Sequence, residues 1–259
     1  MSACSRRLCP RGPAPRPSSE GCFRPDIPPR LPDPGIYSQA QRFSAGADFT
    51  FANPDISKSA KLSPTGEGLE VTERRVAVAV TNFSDDAPAA GVQVHIEGAR
   101  WGIGMPRVPI GAFTADLGMS SSPNARVSQT MEYSPDNPFS TFFVRVMHPK
   151  DRDTSNNEGI DAQLTKIVEA GAFSLPFSVR NPLQRPVRID LGVMTTDWEA
   201  AVSPGSLDLT QGQAAVTALT GNADLSGMTP SDRIEFTVIA TVDGALLGGL
   251  TYRLGPSSG

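Results

Sequence analysis

Four oxygen-bearing side chains recur at every second position of one acidic stretch: Asp151, Asp153, Ser155 and Asn157. Carboxylate, hydroxyl and amide oxygens are the hard donors that calcium takes. Their spacing is that of the first half of an EF-hand loop. The second half departs from it. Asn156 stands where that loop has its glycine, and Ala162 where it has a bidentate Glu. Glu158 or Asp161 offers a carboxylate in a different geometry. The same residues also describe an Asx-turn network, in which each short polar side chain bonds a nearby backbone N–H. Calcium on Asp151, Asp153, Ser155 and Asn157 and a metal-free polar turn are thus two readings of one loop.

The other chemistry-bearing residues are sparse. The sequence has two histidines, His95 and His148. A hydrolytic triad needs a nucleophile, a base and an orienting group in contact. His95 falls on the polar positions of the run Val92–Ile96, and His148 precedes Pro149, with Asp151 and Asp153 near it. No serine sits in a sharp strand-to-helix elbow, so both histidines read as surface residues and no catalytic residue is assigned. Gly102-Ile103-Gly104 is half of a dinucleotide signature, but no helical pattern follows it. Asn82-Phe83-Ser84 has the form of a glycosylation acceptor. Trp101, flanked by glycine, could present an aromatic face to a sugar; Trp198 reads as core. Cys4, Cys9 and Cys22 all fall near the start, an odd number without a fourth zinc ligand.

Strands must position these residues. Phe142, Val144 and Val146 alternate with Phe143, Arg145 and Met147, and Pro149 ends the run, since it has no N–H for a ladder. Val76, Val78 and Val80 alternate likewise, as do Val92, Val94 and Ile96. Val127 and Met131 mark another strand within Ala125–Tyr133. Leu164–Val168 reads as a strand closing this block. Phe173–Val179 and Val187–Val193 open a second block, and Val216 with Ala218, then Ile234–Val242, continue it. Asp243-Gly244 is a hairpin signal. The 24 Gly and 24 Pro among 259 residues suit short strands and many turns. No long helical period appears. The expected fold is all-β: two tandem immunoglobulin-like sandwiches behind a disordered N-terminal tail. The expected division is a Pro-rich tail at 1–35, a lead-in segment at 36–52, one sandwich at 53–170 and a second at 171–259. A net charge of −4 argues against nucleic acid. No apolar run is long enough for a membrane span, and the first residues lack the continuous apolar run of an ordinary signal peptide.

Asn53–Gly159 resembles the bacterial CARDB family of adhesion-related sandwiches, on Asn53-Pro54-Asp55-Ile56, on Val76–Pro88 and on Phe143–Asn157 with its paired Asn156-Asn157. The module so identified covers about 53–165. Trp101–Met119 departs from the pattern, as an insertion or an irregular strand. Phe177–Leu254 resembles the sandwich module that accompanies carbohydrate-binding domains in some bacterial α-galactosidases, on FSVRNP, Trp198, Val202-Ser203-Pro204 and Gln211-Gly212-Gln213. These resemblances imply a non-catalytic structural or adhesion module of a bacterial surface or secreted assembly. It would act through protein partners or self-assembly, at an extracellular or cell-surface location. A carbohydrate-binding module using Trp101 is the alternative, and a hydrolase the third reading. No cofactor is implied beyond the calcium considered above.

Overall fold

In chain order the first block holds β1 (Pro34–Gly35), β2 (Ile56–Thr65), β3 (Gly68–Asn82), β4 (Ala89–Ala99), β5 (Val108–Leu117), β6 (Arg126–Tyr133), β7 (Thr141–Met147) and β8 (Glu158–Asp161). The second holds β9 (Gln163–Ile167), β10 (Gly171–Arg180), β11 (Val187–Met194), β12 (Ala200–Ser203), β13 (Ser206–Leu209), β14 (Ala214–Ala223), β15 (Ile234–Val242) and β16 (Ala245–Gly255). A short helix, α1 (Gln39–Ser44), precedes β2 and is capped by Ser38, whose side chain accepts from Gln41 N. This is a computed structural model. It describes residues 30–65, 68–134, 136–137, 139–194, 199–229 and 231–256, with the backbone alone for 60–73. The tail cysteines Cys4, Cys9 and Cys22, and Trp198, lie outside the described residues.

The chain is nearly all β, as its alternation requires. Four sheets pair into two sandwiches. In the first, β3 lies between β2 and β6, with β1 beside its end; the facing sheet runs β5-β4-β7-β8. In the second, β10-β14-β12 faces β13-β11-β15-β16-β9. Val76, Val78 and Val80 meet Val94, Ile96, Phe142, Val144 and Val146 in the first core. Phe177, Ile189, Phe236, Val238 and Tyr252 centre the second. The hairpin β15–β16 turns at Asp243-Gly244, both at positive φ (52° and 77°), the conformation a two-residue hairpin loop demands.

The fold departs from the sequence expectations in three places and decides between two readings in a fourth. Leu31–Gly35 is not tail. Leu31 O accepts from Ser84 Oγ (2.8 Å), Asp33 N donates to Asn82 Oδ1 (3.0 Å), and Pro34–Gly35 pairs with Thr81–Asn82. Prolines lack donors, but their carbonyls and neighbours can still dock on an edge. Within Trp101–Met119, residues 108–117 form the irregular strand that was one of the two readings of that stretch: β5, whose pairing with β4 carries bulges. Leu164–Ile167 is a strand, β9, but it pairs in parallel with β16 and so joins the second sandwich. In β14 the inward residues are Ala215, Thr217 and Leu219, so Val216 faces outward and is 67% exposed.

The lead-in segment ties the two cores together. Ile36 is buried in the first core, while Phe49 and Phe51 are buried in the second. Val146, 1% exposed, sits in the middle of the first core. Val146→Ala is expected to lower unfolding stability by about 2 kcal/mol through lost transfer energy and the cavity left behind. Urea unfolding measures this; a neutral result would mean β7 does not carry the core.

Candidate functional site

A trough of about 660 Å³ opens on the outer face of the sheet β5-β4-β7-β8. Its makers are the residues that alternate with the core. Where Val94, Ile96, Val144 and Val146 point inward, His95, Glu97, Phe143, Arg145 and Met147 must point out. Register sets them side by side: His95 lies opposite both Ala112 on β5 and Arg145 on β7, and Glu97 lies opposite Phe143. Beyond β7, Arg145 pairs with Glu158 and Phe143 with Ile160 on β8. Ala112, which faces outward opposite His95, carries little bulk, so the β5 side of the floor is low.

The charges along the trough are mutually engaged. Arg145 reaches Glu158 Oε1 through Nε at 2.9 Å and through a second nitrogen at 2.6 Å. Arg107 stacks on the Phe143 ring at 3.9 Å and stands 3.7 Å from Glu97. His95 is exposed, and among the described residues no hydroxyl or carboxylate bonds it. The volume falls in the range of small-ligand clefts, about 300–1,000 Å³. Its lining combines apolar surface (Phe143, Met147, Ile160) with both signs of charge. Such a surface suits recognition of an amphipathic or zwitterionic partner more than proton transfer.

The acidic loop lies at the end of β7. Asp153 caps the 3-10 turn Thr154–Asn156: its Oδ1 accepts from Ser155 N at 2.9 Å and from Ser155 Oγ at 2.6 Å. Those bonds hold its carboxyl below the usual carboxylate range. Asp151 accepts from Asp153 N (3.1 Å) and from the Asn157 amide (2.7 Å). Burial pushes its carboxyl up, against the Asn157 bond. Asn156 donates to Asp33 at 2.8 Å. The amide oxygens of Asn156 and Asn157 are buried and find no donor among the described residues. The loop thus brings Asp151, Asp153, Ser155 and Asn157 together as a chain of Asx-type hydrogen bonds. Among the described residues no group of three or more His, Cys, Asp or Glu is placed to hold a metal.

The remaining sequence candidates are scattered. Trp101 is half-buried and packs edge-on to Tyr252, with centroids 5.3 Å apart, and its Nε1 donates to the Tyr252 hydroxyl at 3.3 Å. Burial pushes that phenol up to about 12. The indole is therefore engaged within the fold, beside the second core. His148 lies 3.2 Å from Ala90 O through Nε2, while its Nδ1 accepts from Lys150 N. Ile103, between the two glycines of the half-signature, bridges to β10 in parallel. Gly104 is where it is because a Cβ there would meet Arg180 O at 2.2 Å, a packing reason with no phosphate in it. Asn82 is fully buried, and its amide donates to Ala87 O and Gly118 O; it offers no nitrogen to a glycan. The trough was not foreseen as a site. Its residues were legible one strand at a time as the outward half of each alternation, but their assembly depends on register across four strands.

No family model matches the chain, and no curated protein matches it. Solved structures show weak similarity. A protein of unknown function from Porphyromonas gingivalis W83 is 11% identical, over 78% of this chain and 99% of that one, with a TM-score of 0.27. The CupB6 tip adhesin from Pseudomonas aeruginosa is 6% identical, over 88% and 98%, with a TM-score of 0.24. HBP35 of Porphyromonas gingivalis is 12% identical, over 78% and 64%, with a TM-score of 0.22. At such scores these similarities carry no weight for function. Among the described residues no helix is long and apolar enough to cross a membrane.

Proposed function

We propose that this protein is a non-catalytic structural or adhesion-type accessory module of a bacterial surface or secreted assembly. It acts through protein–protein contacts, and the trough on β5-β4-β7-β8 is where a partner protein seats. The two sandwiches, about 53–170 and 171–259 with β9 exchanged into the second, form its body. The observation that carries this reading is the use of the trough's titratable groups. Arg145 is spent on Glu158, Arg107 on Phe143 and Glu97, and His95 faces outward with no hydroxyl bonded to it among the described residues. A surface of paired charges around apolar side chains gives specificity through complementarity. Desolvated aromatic and Arg side chains are the usual anchors of such contacts.

The test is photo-crosslinking in cells that make the protein. A benzophenone side chain at position 147 should give one defined protein adduct, and the same group at position 188, on the far sandwich, should give none. Arg145→Ala should reduce the adduct at 147 about ten-fold. Absence of any adduct at 147, or a hydrolytic activity lost in His95→Ala, would overturn the proposal.

A further inference from the structure

We infer that the partner seated on the trough is read through one small neutral polar side chain, Ser, Thr or Asn, which it inserts beside Thr141. This deepens the protein-contact reading above and rests on it. On β7 the side chains that share the outer face are Met147, Arg145, Phe143 and Thr141. The first three line the trough. Thr141, the last of the row, is 1% exposed. The first core does not cover it, since that core takes Phe142, Val144 and Val146 on the other face. Thr141 instead lines a slot of about 60 Å³, walled by the β4–β5 connection at Gly102, Gly104 and Met105 and by β16 at Leu247 and Gly248. Trough and slot share Arg107, Phe143 and Ile160 as walls, so the slot continues the trough. Thr141 Oγ1 is buried and finds no hydrogen-bond partner among the described residues. A buried hydroxyl without a partner is uncommon in a native fold, and this one belongs to the wall of an open space.

The slot selects its occupant. It has room for about four water-sized atoms, the size of a Ser, Thr or Asn side chain. Among the described residues Arg107 is the one charged side chain on its wall, and Phe143 and Glu97 engage it. A carboxylate or ammonium entering the slot would exchange its water for a single hydroxyl, and one hydrogen bond does not offset that desolvation. An apolar group would fill the space and leave the hydroxyl unsatisfied. A hydroxyl or carboxamide both fits and pairs, since the Thr141 hydroxyl can donate and accept. The row from Met147 to Thr141 runs most of the length of β7, about 20 Å at ~3.4 Å per residue. The occupant is therefore an extended segment of about six residues lying along that row.

The probes are fluorescein-labelled hexapeptide pools, amidated at the C-terminus, each fixing one residue at one position. They are titrated with the full purified chain to about 1 mM and followed by anisotropy. One position should favour Ser, Thr and Asn over Val, Leu, Asp and Lys by about ten-fold, the scale of one net hydrogen bond. In Thr141→Val the same position should turn to favour Val over Thr. The unfolding midpoint, measured alongside, should hold, because the hydroxyl has no bond to lose. Thr141→Ser keeps the hydroxyl and should keep the preference. Arg145→Ala should weaken every pool and leave the preference in place. Pools that bind with no such position, or a preference that survives Thr141→Val, would overturn the inference and leave the hydroxyl to ordered water. No binding by any pool, while the adduct at position 147 still forms, overturns this inference alone; absence of that adduct removes both readings.

Discussion

Phe51→Ala is expected to destabilise the protein by about 4 kcal/mol, in the range of buried Phe truncations. Phe51 belongs to the segment before the first sandwich, yet it is fully buried in the core of the second. Its ring packs edge-on to Phe49 at 5.7 Å, and Phe49 in turn meets Phe43 at 6.1 Å. It fills the space above Gly249, where a Cβ would come within 2.2 Å of the ring. Its backbone is held on both sides: Phe51 N donates to Thr251 Oγ1 at 2.9 Å, and Ala162 N donates to Phe51 O at 2.8 Å. These bonds leave the truncated site little freedom to collapse, which places the cost high in the range. The same segment puts Ile36 into the first core. Urea unfolding followed by tryptophan fluorescence and far-UV dichroism should therefore show one coincident transition in the parent and in Phe51→Ala, shifted but with unchanged slope. A loss under about 1 kcal/mol would mean the segment rests on the sandwich without being part of its core.

That segment also shows where the sequence stops being legible. The strands of the first core announced themselves, because a residue pattern of period two specifies both element and face: Phe142, Val144 and Val146 are all buried. Local pattern does not say which sheet a strand joins. Leu164–Ile167 was readable as a strand, but its parallel seat on β16 depends on residues almost ninety positions away. Phe43, Phe49 and Phe51 have no regular period, since they act as single anchors and not as a face. In β14 the most hydrophobic visible residue misled. Val216 seems a core residue until Leu219, on the opposite phase, is seen to be fully buried. The acidic loop was the opposite case: Asp and Asn bond close neighbours in sequence, so its hydrogen-bonded turn could be read before any tertiary contact was known. The trough could not, because no two neighbouring strands of it are complete without register.

Lys58→Met should produce the second large effect, and its size should depend on pH. Asp161 is 5% exposed at its side chain and stands at the end of β8, where the chain passes from one sandwich to the other. Lys58 Nζ lies 2.9 Å from its Oδ2 and also donates to Ser140 O (3.2 Å) and Gln163 O (3.0 Å). Asp161 Oδ1 accepts from Asn53 N at 3.2 Å. Burial raises the Asp161 carboxyl above its ordinary range even with Lys58 opposing the rise. A carboxylate with a raised folded-state value binds its proton more readily in the folded protein than in the unfolded chain. Stability then falls as pH climbs from the unfolded value through the folded one. Removing Lys58 takes away the largest opposing charge and carries the folded value higher, so the span of pH over which stability falls extends upward. Breaking a fully buried pair costs about 3–5 kcal/mol. Because Lys58 is one-third exposed, solvent screens part of this, and about 2 kcal/mol is expected at pH 7. At about pH 3, below the ordinary Asp value, the raised carboxyl of Asp161 is protonated in the folded variant, and the loss should shrink to about 1 kcal/mol or less, mainly the two carbonyl bonds lost with Lys58. Urea unfolding of parent and variant at both pH values decides the matter. Lys58→Met with Asp161→Asn should recover most of the loss at pH 7, since the buried charge is then gone. An equal loss at both pH values would show that Lys58 holds the junction through its carbonyl bonds alone and that its charge does no work on Asp161.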